Sequence, residues 1–483
     1  MRKSKSYPPK TIQEFDVCII GAGPAGLAAL SAIQEPYSLD NLTPDQLHRA
    51  AIHLPECTGR SVAVVDAHPQ WMQGWTQNFA ALDIQFLRSP TMAHPDLFDK
   101  NALLAFAEVH GRQDELIESG CGDLQSLIPL GESQIGLWKL PSTALFRDFC
   151  QDLSRRLKHT YVRGHVSNIA KEAQGPLLEV SLAGGGLVRA GAVILAQGQV
   201  GTPIVPRALA EAPRVIPWTA LGNDETSKML SCCQHVLVVG GGLTAVQAAQ
   251  RIVRGDNNSN TKVTLCSRRP LIERHFDLSL DWFDRRTANK CMSDFYHHPN
   301  PLSLLKTSRD GGSVPGIYMK ELLQMEQTGR LVRLVGNARY VGKAEQGDRM
   351  KMVFAGDGDT ATRTCKEEYF DVIVLACGIQ PDCESNALCQ KLLQQWPVDV
   401  CGGFPSVTED LEWVGGSNVY VLGGLGSLNI GPDAANLMGM RRGAQLIANA
   451  LECRCWLRTT NVLKNRFDAF MEDTSDSEEE EED

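Results

Sequence analysis

The sequence has no Cys-x-x-Cys pair and no cysteine–histidine grouping at zinc spacing, although it holds 15 cysteines. A dithiol redox centre and a structural zinc site are therefore excluded. Cys232-Cys233 and Cys453-x-Cys455 stand isolated, so most cysteines read as small buried hydrophobes. No apolar run reaches the roughly eighteen residues that cross a bilayer. Basic residues do not dominate either, with 47 Lys and Arg against 57 Asp and Glu. The basic stripe that nucleic acid demands is missing. The first ten residues are basic but carry no apolar run, so neither a secretory signal nor an anchor is read there, and a cytoplasmic address is expected.

What is present is a chain of 483 residues, 43% hydrophobic and 22% charged, long enough for two to three globular domains. The formal charge is −10, and nine acids with no base occupy residues 472–483, so the remainder is nearly neutral. Such a run repels itself and reads as a solubilising, disordered end. Ser475 and Ser477, each followed by acids, also form an acceptor pattern for an acidophilic kinase.

Two glycine-rich strand-to-helix turns begin at Gly21 and Gly240. In the first, the apolar run Val17–Ile20 leads into Gly21, Gly23, Pro24, Ala25 and Gly26, and then a helix start of small residues. The spacing is that of the dinucleotide fingerprint: one glycine for the tight turn, one for close approach to a pyrophosphate, one for packing of helix on strand. The phosphate meets the positive helix end. The strand Val62–Asp66 ends in an acid suited to ribose hydroxyls, and Asp66 is that acid. It lies 40 residues beyond Gly26 rather than the usual roughly 20, so residues 35–58 read as an insertion punctuated by Pro36, Pro44 and Pro55. A glycine turn of purely structural use is the alternative.

The second turn repeats the pattern with Gly240, Gly242, Thr244 and Ala245. Its following strand ends in Arg268 and Arg269, cations that accommodate a 2′-phosphate and so favour NADPH over NADH. The alternative is a solvated arginine pair. Two nucleotides held against each other are the mark of a flavoenzyme that binds FAD at the first turn.

The strand Ala192–Ala196 runs to Gly198, and a near copy, Val372–Ala376, runs to Gly378. The two are expected where linkers cross between nucleotide domains. The expected fold is α/β, with two Rossmann-like doubly wound domains, the second inserted in the first. Residues 1–207 and 371–460 form an FAD domain, 208–370 an NADPH domain, and 461–483 a C-terminal segment. A last strand, a glycine-rich loop and a helix follow from Asn418, placing Gly424, Asn429 and Pro432 at a strand carboxyl end, where ligands sit in such sheets. Chain reversal alone is the other reading of that loop. A helix from Asn101 to His110 and one N-capped by Ser142 are also read, and His275, His297 and His298 are placed in solvated loops.

With these features the chain resembles the class B flavoprotein monooxygenases along nearly its whole length, with Cys377-Gly378 where that class usually has Thr-Gly. The block Trp71–Asn101, with Phe86-Leu87-Arg88, looks like the aromatic turn and Phe-Leu-Lys motif of the lysine and ornithine N-hydroxylases. The resemblance implies cofactor contacts from Trp75 and Gln85 and makes Arg88 the candidate for a substrate carboxylate or nicotinamide contact. Asparagines that grip the amino acid in those enzymes have no counterpart in Asp277–Trp282 or Lys306–Asp310.

The resemblance implies an enzyme in which NADPH reduces FAD and a flavin hydroperoxide passes one atom of molecular oxygen to a small nucleophilic substrate, an amine above all. A reductase or oxidase passing electrons to oxygen, a quinone or a protein is the alternative, and a non-enzymatic flavin-bound regulator a third. No metal, membrane or nucleic-acid partner is expected, and an oligomer is compatible with the sequence. Trp71, Trp75 and Phe86 read equally as a dry cover for the ring or as core.

Overall fold

The computed structural model describes residues 13–34, 60–118, 138–255, 261–283, 285–309, 311–344, 348–355 and 366–453. The expected insertion at 35–58 and the acidic tail lie outside the described residues.

Strand β1 (Gln13–Ile20) feeds helix α1 (Pro24–Gln34), and β2 (Val62–Asp66) returns beside β1. Every residue of α1 from Ala25 to Gln34 is buried. A helix apolar on all sides must be enclosed, and α1 lies between the sheet and the last described helix. Helix α2 (Gln73–Ala81) and a helix at Ala102–Val109 precede α3 (Thr143–Arg156). Ser142 caps α3 as its position implied, its Oγ accepting from the Leu145 amide at 2.9 Å. Then come β3 (Thr160–Arg163) and the antiparallel β4 (Val166–Lys171), β5 (Leu178–Leu182) and β6 (Leu187–Leu195).

The chain leaves through β7 (Gly201–Pro203) and builds a second parallel sheet from β8 (Val215–Pro217), β9 (His235–Val239), β10 (Lys262–Ser267) and β11 (Leu331–Val335). Helix α4 (Leu243–Gly255) joins β9 to β10. An antiparallel meander follows, β12 (Asn337–Lys343), β13 (Met350–Ala355) and β14 (Lys366–Phe370), and β15 (Val372–Leu375) completes the parallel sheet. The order is β8-β15-β9-β10-β11. Return is through β16 (Ile379–Pro381), which pairs antiparallel with β7, so the outgoing and incoming linkers run side by side. Finally β17 (Val419–Val421) pairs parallel with β6, and α5 (Leu437–Cys453) packs on α1. The first sheet reads β3-β2-β1-β6-β5-β4, with β17 beside the carboxyl half of β6.

Register brings the carboxyl ends level. In the first sheet Ile20 pairs with Val65 and Leu195, and Leu195 with Val421. In the second, Val239 pairs with Cys266 and Leu375. Buried on both faces, these strands are continuous apolar runs rather than alternating ones. Whatever follows each strand is delivered to one edge of its sheet.

Candidate functional site

At the first edge the three glycines do different steric work. A Cβ on Gly21 would lie 2.3 Å from the Ala196 carbonyl oxygen, and one on Gly26 would lie 1.9 Å from that of Gly21. A Cβ on Gly23 would meet nothing within 4 Å. Gly21 and Gly26 are thus required by packing, while Gly23 leaves a surface for a ligand. Asp66 stands beside the turn as expected, its Oδ2 accepting from the Ala22 amide at 2.8 Å and its Oδ1 from the His68 amide at 2.8 Å. Oδ1 also faces His68 Nδ1 at 2.9 Å, so Oδ2 is the oxygen that retains acceptor capacity.

The second edge has the same construction. A Cβ on Gly240 would lie 2.3 Å from the Ala376 carbonyl oxygen, and Gly242 faces open space. The amides of Ala196 and Ala376 donate at 2.8 Å to Ile20 and Val239 respectively, so the near-copy strands sit in equivalent places. Gly198 and Gly378 follow at φ +81° and +90°, conformations that suit glycine, with open space where a side chain would go. Ala245 is fully buried where the third glycine would pack, and Thr244 is half-buried in the first turn of α4. Arg268 and Arg269 are exposed past the end of β10, with the Arg269 guanidinium lying over Gly311.

The glycine loop after β17 returns to the first edge, where a Cβ on Gly424 would come 3.9 Å from the Gly198 carbonyl oxygen. Asn429 turns its amide to the carbonyls of Val407 and Thr408, at 3.4 and 2.9 Å. The Pro432 carbonyl accepts from Arg309 at 2.8 Å. Trp282 covers Gly431, since a Cβ there would lie 2.7 Å from the indole. Asp433, almost fully buried, pairs with Arg442, and burial raises its carboxyl above the usual range.

Trp71 and Trp75 of the aromatic segment pack against the first hydrophobic core, and Phe86 is half-buried. Trp71 is 7% exposed and donates from Nε1 to His159 Nε2 at 3.0 Å, and Trp75 stacks on Phe79 at 3.8 Å. Gln85 is exposed, its backbone carbonyl accepting from the Thr143 amide at 2.7 Å. An aromatic cluster that local sequence did not signal lies elsewhere: Trp138, Phe276 and Phe283, with ring centroids 4.8–6.1 Å apart.

Arg88 reaches from the first half of the chain into the inserted segment. Its Nε donates to the His275 carbonyl at 2.5 Å, its Nη2 to the Arg274 carbonyl at 3.1 Å and to Ser313 Oγ at 2.7 Å, and its Nη1 to the Ser313 carbonyl at 3.3 Å. Burial lowers its pKa to about 10, with Arg309 and Arg274 acting the same way and Asp277 opposing. His275 is a correction: expected in a solvated loop, it is half-buried beside Arg88, and burial first, then that cation, push its imidazole down to about 4. His297 is exposed as expected, and His298 Nδ1 accepts from the Asn300 amide at 3.0 Å.

The segments without the amino-acid-gripping asparagines do reach the seam at which residues 274–282, Arg309 and Ser313 meet Arg88 and the last part of the chain. Asp277 pairs with Arg309 at 2.8 Å, and the Trp282 carbonyl accepts from Arg442 at 3.3 Å. Arg309, Asp277 and Ser313 escaped sequence reasoning because isolated polar residues in loops carry no periodic signal, and the pairing of Arg442 on α5 with Asp433 shows only in the fold. Among the described residues no cluster of groups could hold a metal ion, and no helix is long and apolar enough to cross a membrane.

No protein-family model and no curated protein sequence matches the chain. Its structure is similar to an ornithine N-hydroxylase from Kutzneria sp. 744, described with reduced FAD, NADP+ and L-ornithine, at 18% identity and TM-score 0.65 over 92% of this chain and 100% of that one. It is similar to L-lysine 6-monooxygenase from Pseudomonas syringae, at 19% identity and TM-score 0.62 over 92% and 100%. Bacillithiol disulfide reductase from Bacillus cereus is more distant, at 16% identity and TM-score 0.51 over 92% and 100%. The chain has the α/β fold, with its parallel sheets, of the flavin-dependent amine N-hydroxylases.

Proposed function

We propose that the protein is an FAD-dependent, NADPH-oxidising monooxygenase acting on a small amine. The observation that carries this reading is the pairing of two equivalent glycine turns, each with one glycine, Gly23 or Gly242, whose missing side chain leaves open space. In this reading residues 1–207 and 371–460 form the FAD-binding domain and 208–370 the inserted NADPH-binding domain. Such cradles fit dinucleotides: helix amides meet the pyrophosphate and a strand-end acid or cation meets the ribose.

When bound, FAD would accept a hydride from NADPH and activate oxygen for transfer of one atom to the substrate nitrogen. The residues of the chain do the rest. Gly21, Gly23, Pro24, Ala25 and Gly26 present backbone to the FAD phosphates, and Asp66 holds the ribose. Gly240, Gly242, Thr244 and Ala245 form the second cradle, with Arg268 and Arg269 on the 2′-phosphate. Gly198, Gly378, Gly424, Asn429 and Pro432 line the strand ends where the ring would lie. Trp138, Phe276, Trp282 and Phe283 exclude water from the seam, which suppresses unproductive peroxide release. Arg88 holds that seam together.

Fold similarity at this identity extends to a disulfide reductase, so stoichiometry decides the chemistry. Purified protein should be yellow, bleach with NADPH, and consume NADPH faster in the presence of a small amine, with one hydroxylated product per NADPH. Peroxide alone across an amine screen would replace this reading with that of a reductase or oxidase.

A further inference from the structure

Arg309, Gly311, Gly312 and Ser313 touch both candidate nucleotide sites at once. Toward the first sheet, Arg309 Nη2 donates to the Pro432 carbonyl at 2.8 Å and to Asn436 Oδ1 at 3.2 Å, gripping the glycine loop that follows β17. Ser313 accepts from Arg88 through Oγ at 2.7 Å and through its carbonyl at 3.3 Å. Toward the second sheet, a Cβ on Gly312 would lie 3.3 Å from the Cα of Gly242, and one on Gly311 would lie 2.0 Å from the Arg269 guanidinium. Both glycines have positive φ, +74° and +100°, so a side chain at either would be strained as well as crowded.

The stretch is held firmly. Asp277 pairs with Arg309 at 2.8 Å, the amide of Val314 donates to the Ile272 carbonyl at 2.8 Å, and Ser313 is 1% exposed. None of these bonds is required for either glycine turn to cradle a phosphate. Their joint effect is mechanical: residues bonded to one loop and packed on the other turn cannot shift at one end without shifting at the other.

We propose that Arg309 with Gly311–Ser313 couples the two nucleotide sites, Arg309 being the positioning residue, an inference that rests on reading both glycine turns as nucleotide sites. A ring seated against the loop after β17 fixes Pro432 and Asn436, which fixes Arg309, which holds Gly311 and Gly312 against the second turn in the conformation that receives the second nucleotide. Linkage requires the converse, so the nicotinamide nucleotide tightens retention of FAD by the same factor.

The test reads affinity rather than turnover. Serial dilution of FAD-loaded protein, with fluorescence of released flavin at equilibrium, gives FAD affinity with and without saturating NADP+. In the wild type, NADP+ is expected to tighten FAD binding by about tenfold, within the usual range for coupled sites. Arg309→Gln and Ser313→Ala should still bind both nucleotides, with that shift reduced to within about twofold, and Arg309→Lys should recover part of it because one donor to Pro432 remains. If Arg309→Gln does not fold, Ser313→Ala, which removes a single hydroxyl, carries the test. An undiminished NADP+ shift in the variants, or no shift in a wild type that binds both nucleotides, overturns the coupling. A folded wild type that takes up no FAD or no NADP+ overturns the nucleotide reading and this proposal with it.

Discussion

The Cα of Gly26 faces the carbonyl oxygen of Gly21 so closely that a Cβ there would lie 1.9 Å from it, whereas the Cβ direction of Gly23 is open. Gly26→Ala must therefore push helix α1 off its strand, and overpacking of this kind costs about 3 kcal/mol. Gly23→Ala should leave the melting temperature nearly unchanged and weaken FAD retention at least about tenfold, because its methyl group occupies the space a pyrophosphate needs. A folded Gly23→Ala protein as yellow as the wild type would remove the first turn from the site.

Arg268 is exposed at the end of β10, beyond the second glycine turn. Loss of one charge-assisted hydrogen bond to a 2′-phosphate is worth about 1.5–3 kcal/mol, so Arg268→Ala should raise the KM for NADPH roughly ten- to a hundredfold. The KM for NADH should stay within about twofold, since NADH carries no such phosphate. Steady-state kinetics with both nucleotides checks this, and equal effects would place the arginine off the ribose.

His275 gives an acid dependence with a definite sign. Its pKa is about 4 in the folded protein and 6.5 ordinarily, with burial as the leading cause. Below pH 6.5 the unfolded chain binds a proton that the folded chain refuses, so this share of stability is complete above pH 6.5 and is lost as pH falls toward 4. The full loss is roughly 3 kcal/mol at most. His94 and His235, also lowered chiefly by burial, act in the same direction. Denaturant midpoints at pH 4.5 and 7.5 should therefore differ less for His275→Gln than for the wild type. Equal differences would show that the imidazole titrates freely in the folded protein.

Arg88 separates two roles by experiment. Arg88→Ala leaves the carbonyls of Arg274, His275 and Ser313 without their donor, and buried acceptors left unpaired cost about 1–3 kcal/mol each. A brace predicts a stability loss of about 3 kcal/mol or more and faster proteolysis at the linkers β7 and β16. A substrate contact predicts instead an unchanged unfolding midpoint with a large rise in the KM for the amine. Urea unfolding alongside amine kinetics distinguishes the two.

Much of the fold was legible because it is written in short-range patterns. Apolar runs ending at Gly21, Gly240, Gly198 and Gly378 are local statements about where a strand must stop, and the structure places all four past strand carboxyl ends. The Ser142 cap and the likeness of Ala192–Ala196 to Val372–Ala376 were legible for the same reason. The seam was not. Arg88 meets Ser313 across 225 positions, and Arg309 meets Pro432 across 123. His275 and Arg309 look like ordinary loop residues until another part of the chain arrives to bury or bond them. Sequence by itself determined the two glycine turns, because steric demands on a turn involve only its neighbours. Tertiary structure alone decided which arginines bond across distant parts of the chain and how far His275 is shielded from water, because those properties depend on groups brought close only by folding.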